Sequence, residues 1–306
     1  MRILILGAGA TGGYFGGLLA NAGVDVTFLV RPKRREQLAR DGLKIESPAG
    51  NVATAVNAIT RDEISSPFDV VIISAKAYDL ADAIDTIRPA VGEKTLILPL
   101  LNGMSHLDDL DAAFGQPHVL GGTCHISVVL DADGKIRRFS PFASLTFGAR
   151  SPAQKESASL IHQELTRGGF DARNSENIIG AMWEKWVLLA TLAGSTCLMR
   201  ASIGEIVRAE GGEQLISGML DECCAVAKAS GHPPRPAAES GARQTLTDPK
   251  SNISASMRRD IDRGNRIEAD HIVGDLIRRG RERGMQTPLL GIAYVHLQAY
   301  QNRLSA

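Results

Sequence analysis

Apolar and polar positions fall into two regimes along this chain. Up to about residue 173, short unbroken apolar runs alternate with amphipathic stretches. The runs Arg2–Leu6, Phe68–Ser74 and Thr95–Leu101 read as buried strands, Phe68–Ser74 with the signature of burial on both faces, and Val24–Val30 reads as a further strand. Between them, Tyr14, Phe15, Leu18 and Leu19 mark one helix, Ala81–Val91 a second and residues 151–167 a third. Leu43–Ile59 is β-rich. His118–Gly148 reads as β with turns at Asp131–Gly134 and Ser140-Pro141, expected to be antiparallel strands finishing the sheet. Phe170–Arg173 is a last short strand. From Asn174 onward the periodicity is helical only, broken at Gly231–Pro234 and Asp248-Pro249. The composition shift predicts two domains, 1–173 and 174–306.

The first strand runs directly into Gly7-Ala8-Gly9-Ala10-Thr11-Gly12. A G-x-G-x-x-G turn between an apolar strand and an apolar helix brings bare backbone up to a dinucleotide pyrophosphate. Gly7 permits the turn, Gly9 leaves room for phosphate, and Gly12 lets helix and strand pack closely. Ala10 and Thr11 lie at the helix start, where free N–H groups favour anions. We therefore expect an α/β fold: an N-terminal Rossmann-like dinucleotide-binding domain followed by an all-helical C-terminal domain. The second strand ends in Val30-Arg31-Pro32-Lys33-Arg34-Arg35, with no carboxylate before Glu36. A carboxylate there would hold a ribose 2′-hydroxyl and repel a 2′-phosphate, whereas a guanidinium grips the phosphate. The expected cofactor is NADP(H), with Arg31 its contact. At least one or two of Lys33, Arg34 and Arg35 are expected to be a solvated helix start.

Composition narrows the picture. Lys plus Arg and Asp plus Glu number 34 each in 306 residues, which gives no sign of a nucleic-acid or membrane-surface partner. The apolar runs are too short for a signal segment or a membrane span. Cys124, Cys197, Cys223 and Cys224 have no metal-ligand spacing and read as reduced thiols of a cytoplasmic protein. No metal is expected. A homodimer stays open.

Ligands of open α/β sheets sit beyond the carboxyl ends of the strands. Lys76 follows one such strand and Asn102, in Leu101-Asn102-Gly103-Met104, follows another. Each on its own also fits a solvated lysine or a plain turn. In the helical half, Lys185 lies in Met182-Trp183-Glu184-Lys185-Trp186-Val187-Leu188, an apolar setting that suits a proton donor in a dry cleft. A third candidate segment runs from Ser254 to Asp270. On one continuous helix Ser256 and Glu268 would lie about 18 Å apart and about 120° out of register. A break at Gly264-Asn265 folds both toward one pocket; otherwise the segment is a charge-laced surface helix.

These residues together resemble ketopantoate reductase (2-dehydropantoate 2-reductase), nearly end to end. The resemblance rests on the Gly7–Gly16 start, Arg31, the strand leading to Lys76, Asn102-Gly103-Met104, the Trp183-x-Lys185 helix and the Ser256-Met257-x-x-Asp260 … Glu268-x-Asp270 segment. It implies reduction of ketopantoate to (R)-pantoate by NADPH, a step toward pantothenate and coenzyme A, with the active site between the two domains. It implies that Lys185 is the general acid and that Glu268 orients the substrate hydroxyl. Ser256 would contact the substrate carboxylate, and Asn102 and Lys76 would line the cleft near cofactor and substrate.

The chain also departs from the family pattern. The family carries Asn four residues after the catalytic lysine and often four further on; here these are Leu189 and Ala193. Leu101 stands where Gln often precedes Asn-Gly. Losing substrate-facing amides costs discrimination for a polar substrate. Two other readings follow: a paralogous NADPH-dependent reductase of a different, less polar 2-oxo acid, and a non-catalytic NADPH-binding regulatory protein on the same scaffold.

Overall fold

The computed structural model describes residues 1–305. The chain divides into two compact units. One comprises Met1–Leu101 with His106–Ile178; the other comprises Asn102–Ser105 with the chain from Ile179 onward.

In the first unit the elements run β1 (Ile3–Leu6), α1 (Ala10–Asn21), β2 (Val26–Leu29), α2 (Pro32–Asp41), β3 (Leu43–Glu46), β4 (Val52–Thr54), β5 (Asn57–Ile59), β6 (Val70–Ile73), α3 (Leu80–Ile87), β7 (Leu96–Pro99), α4 (Ser105–Phe114), β8 (Gly121–Leu130), β9 (Ile136–Gly148), α5 (Lys155–Thr166) and β10 (Asp171–Asn174). A five-stranded sheet has the order β5-β2-β1-β6-β7 and is parallel throughout. Strand order reverses between β1 and β6, which opens the ligand-binding crevice of this architecture above the turn that follows β1. The four runs read as strands all lie in this sheet, and β2, β6 and β7 are buried at every position.

Of the β-rich stretches only β5 joins that sheet, as its edge strand beside β2. The others build a second sheet, in which β10, β9, β3 and β4 lie side by side and β8 pairs with β9. The expected turn at Ser140-Pro141 takes the form of an irregularity within one strand. β9 bulges there: between the pairs Ile126↔Ala143 and Val128↔Arg138 it carries the extra residues 139–142, which include Ser140-Pro141. Sequence pattern alone gives no sign of which sheet a strand joins. Between the two sheets lies α1, which presents glycines to both. A Cβ on Gly16 would lie 2.3 Å from Ile5 Cδ1 of β1 and 2.7 Å from the Phe28 ring of β2. One on Gly17 would lie 2.5 Å from Leu43, and one on Gly13 would lie 2.4 Å from Ile136, both in the second sheet.

The helices of the second unit begin at Ile178, a few residues after Asn174. β10 pairs in parallel with β9 through Asn174, and the Ser175 N–H donates to the Phe147 carbonyl at 2.7 Å. Backbone hydrogen bonds thus keep the chain on the sheet until α6. The second unit then contains α6 (Ile178–Met199), α7 (Ile203–Val207), α8 (Gly212–Ala229), α9 (Pro236–Leu246), α10 (Ser256–Asp262), α11 (Asp275–Arg281) and α12 (Pro288–Ser305). Its core includes Trp186, Cys197, Met219, Leu220, Cys223, Leu276 and Leu297, all fully or almost fully buried. Among the described residues no helix is long and apolar enough to cross a membrane.

Glycine contacts predict opposite outcomes for two helix substitutions. Gly16→Val forces side chain into Ile5 and Phe28 and should cost about 1–3 kcal/mol as overpacking. Gly241→Ala in α9 meets nothing within 4 Å and should stabilise by roughly 0.5–1 kcal/mol. Urea unfolding midpoints of the two variants check both signs.

Candidate active site

The turn after β1 is built as its sequence suggests. Gly7 sits at φ +87°, in the left-handed region, and its N–H donates to the Leu29 carbonyl at 2.8 Å. A Cβ on Gly12 would lie 2.3 Å from Ser74 Oγ and 2.8 Å from the Gly7 carbonyl, so helix and strand tolerate nothing larger. Gly9 differs from both. Its φ is −80°, which any residue adopts, and a Cβ there would touch no protein atom within 4 Å. Nothing in the fold requires glycine at this position, so the space it leaves suits a group from outside the chain. Gly9 is also the N-cap of α1 and provides no side-chain cap, so the N–H groups around Ala10, Thr11 and Gly12 are available to an anion. These residues fit a dinucleotide pyrophosphate.

The basic cluster after β2 divides its labour. Arg31 is the N-cap of α2 and 86% exposed, with its ion pair to Asp82 stretched to 4.0 Å. An exposed pair of that length contributes little and leaves the guanidinium available. Lys33 is exposed. Arg35 pairs with Glu63 at 2.6 Å. Arg34 turns inward: Nη2 donates to the Ala8 carbonyl at 3.0 Å and Nη1 donates to the Gly134 carbonyl at 3.2 Å. It braces the glycine turn against the β8–β9 connection, a role that sequence reading missed. The available signal was its place one helical turn after Arg31. Lys76 caps the short turn Ala77–Asp79 that follows β6.

In the second unit, Lys185 on α6 donates from Nζ to Asn102 Oδ1 at 3.0 Å. Asn102 follows β7 in sequence, yet Asn102–Ser105 cluster with the helices. Sequence reading assigned Asn102 to the first domain by chain position; side-chain bonding to α6 assigns it to the second. Gly103 at φ +76° lies so close to His271 that a Cβ would sit 2.8 Å from its carbonyl oxygen. Ser105 Oγ and His271 Nδ1 are hydrogen-bonded at 2.7 Å. Neither Ser105 nor His271 stood out in the sequence.

The break between Ser256 and Glu268 is present. α10 ends at Asp262, Gly264 takes φ +69°, its N–H donates to the Ile261 carbonyl at 3.0 Å, and the Asn265 N–H donates to the Asp260 carbonyl at 2.9 Å. This is the Schellman termination, whose left-handed position favours glycine. Tyr300 Oη of α12 donates to the Asn265 carbonyl at 2.9 Å and fixes the exit. Glu268 follows, only 8% exposed, just ahead of a wider π-helical turn over Asp270–Gly274. Trp186 explains that turn: its indole N–H donates to the Ile272 carbonyl at 2.8 Å. A side chain inserted into the helical ladder distorts the winding in this way. At the other end, the Ala255 N–H, next to Ser256, donates to Thr196 Oγ1 of α6 at 3.3 Å. Lys185, Leu189, Ala193 and Thr196 lie along one face of α6 at helical spacing. The α6 face therefore carries Asn102 near one end and the start of α10 near the other, with Leu189 and Ala193 between. Leu189 is partly exposed and Ala193 fully buried. Among the described residues no group of histidines, cysteines and carboxylates is placed to hold a metal ion.

A parallel sheet with this glycine turn, joined in one chain to a helical unit carrying a lysine–asparagine pair, is the architecture of a Rossmann-like oxidoreductase. The family model "Ketopantoate reductase PanE/ApbA" matches residues 3–152 and its C-terminal counterpart matches residues 177–301, so the chain belongs to the ketopantoate reductase family. It is 36% identical over 98% of its length to the "Uncharacterized oxidoreductase YkpB" of Bacillus subtilis, covering 99% of that protein. It is 28% identical to the 2-dehydropantoate 2-reductase of Pyrococcus horikoshii, over 99% of this chain and 98% of that one. A solved PanE/ApbA family ketopantoate reductase from Ralstonia eutropha superimposes with a TM-score of 0.89 at 26% identity, over 100% of both chains.

Gly9→Ala separates binding from folding. We expect thermal stability within about 0.5 kcal/mol of the parent, since such a change clear of packing and strain moves it little. Dinucleotide affinity, read by cofactor fluorescence, should fall at least tenfold.

Proposed function

We propose that this protein is an NADPH-dependent 2-dehydropantoate 2-reductase, converting ketopantoate to (R)-pantoate in pantothenate and coenzyme A biosynthesis. The Lys185–Asn102 hydrogen bond carries the reading, because it presents an oriented ammonium next to an apolar helix face. In this reading Gly7, Gly9, Ala10, Thr11 and Gly12 hold the pyrophosphate, Arg31 the 2′-phosphate, and Lys76 and Asn102 the remaining cofactor and substrate contacts. When bound, the nicotinamide supplies a hydride to the carbonyl carbon. Negative charge then builds on the carbonyl oxygen, and Lys185 relieves it by donating a proton from Nζ. The amine left behind is reprotonated from water. Asn102 fixes the direction of that proton by accepting from a second N–H of the same ammonium. Glu268 accepts from the substrate hydroxyl, and Ser256 donates to the substrate carboxylate, so that the carbonyl is held against both reacting partners.

A specific observation favours a second reading within the same chemistry. Leu189 and Ala193 stand on the Lys185 face of α6 where relatives of this pattern carry amides. A site lacking those hydrogen-bond partners favours a less polar 2-oxo acid. NADPH oxidation against a panel of 2-oxo acids decides between the two. Highest kcat/KM on ketopantoate supports the first, and highest kcat/KM on an apolar 2-oxo acid supports the second. Tight NADPH binding with turnover of none would leave the non-catalytic reading.

Two variants test the assigned roles on the best substrate of that panel. Lys185→Ala should lower kcat by roughly 10²–10⁴-fold, the usual loss for a general acid, with NADPH affinity little changed. Arg31→Ala should weaken NADPH by on the order of 1.5–3 kcal/mol and leave NADH unchanged, as measured by competitive titration.

A further inference from the structure

We infer that Ser105 and His271 are positioning residues that hold Asn102 against Lys185, acting as a clip on the Asn102–Ser105 segment. The inference rests on the proposed role of Lys185. Three observations converge on this segment. At its first residue, Asn102 Oδ1 accepts from Lys185 Nζ at 3.0 Å. At its last, Ser105 Oγ meets His271 Nδ1 at 2.7 Å. Between them, Gly103 packs so tightly that a Cβ would lie 2.8 Å from the His271 carbonyl and 2.9 Å from its ring. His271 is itself held in place. It lies in the π-helical turn, where the next residue, Ile272, gives its carbonyl to the indole N–H of Trp186. Trp186 is the immediate neighbour of Lys185 on α6. The lysine and the clip therefore hang from the same helix at successive residues, one through Asn102 and the other through Trp186.

The chemistry of the clip suits positioning rather than proton transfer. A serine hydroxyl can donate to a neutral Nδ1 or accept from a protonated one, so the bond survives either state of the ring. Without it, the segment keeps the Gly103 contact but loses the hydrogen bond at its Ser105 end. Asn102 then loses its fixed direction, and with it the fixed direction of the Lys185 ammonium. A small misplacement of a catalytic group costs turnover more than it costs ground-state binding.

The test uses the full-length protein and two readouts. The first is kcat and KM for the best 2-oxo acid, with NADPH affinity measured separately. The second is the titration of the Lys185 side-chain signal in protein carrying isotope-labelled lysine, assigned by its loss in Lys185→Arg. His271→Leu and Ser105→Ala should each lower kcat roughly 10- to 100-fold and leave the NADPH Kd unchanged. Each should shift the Lys185 signal in the same direction as Asn102→Ala. Because the two residues act through one bond, the double variant should be no worse than the worse single variant. His271→Asn, which keeps a polar atom near the Nδ1 position, should recover most of the loss. Wild-type kcat together with an unmoved Lys185 signal in Ser105→Ala would overturn the clip. So would a fall in kcat that His271→Asn fails to rescue. If wild-type protein reduces no 2-oxo acid, the proposed function fails; the Lys185 signal still decides whether the clip orients the lysine.

Discussion

The first unit depends on one helix that must touch two sheets at once. α1 can do so only because it carries glycine on two adjacent stripes. Gly12 and Gly16, four residues apart, face β1, β2 and Ser74; Gly13 and Gly17 face β3 and β9. Each glycine removes a side chain that would otherwise hold the backbone off, and the helix settles into direct contact with Ile5, Phe28, Leu43 and Ile136. Dispersion gained at such short range repays part of the entropy lost in ordering glycine. The position of the helix then fixes its N-terminus, and the N-terminus defines where an anion can sit. Arg34 adds a polar brace from the other side, through the Ala8 carbonyl.

The second unit solves a different problem, that of redirecting one segment along α6. Glycine at 264 stops α10, the Schellman bonds and Tyr300 set the new direction, and Trp186 draws the returning chain onto α6. The bulged turn that results is a local departure from ideal helix with an identifiable cause. Its energetic cost is offset by burial of the indole, which is almost completely enclosed, and by the hydrogen bond that the ring nitrogen gains.

Much of this was legible in the sequence, for reasons that differ by element. Apolar runs identified strands β1, β6 and β7 because burial on both faces leaves no other composition open to them, whereas the edge strand β5 carries no such run. Gly264 was legible as a helix stop because few residues tolerate its backbone angle. The second sheet was not legible. The pairing of β3 with β9 joins segments some ninety positions apart, and alternation within each segment says nothing of its partner. The helices' hold on Asn102–Ser105 was hidden for the same reason, since it is made by side chains 83 and 166 positions away. The roles of Arg34 and His271 were hidden because a lone arginine or histidine on a helix reads as solvated until its neighbours are known.

That capture of Asn102–Ser105 has a consequence for how the chain is assembled and recombined. The helical unit is discontinuous: a piece of it is synthesised well before the rest. As the chain leaves the ribosome, Asn102 and Ser105 emerge long before α6, so the helical unit cannot close until the entire intervening stretch has been made and its loop entropy has been overcome. A chimera joined at a single point near Ile178 would take its α6 from one parent and its Asn102–Ser105 from the other. The structural seam between the units crosses the chain at three places, near residues 101, 105 and 178, and inheritance respects it only when all three are cut together.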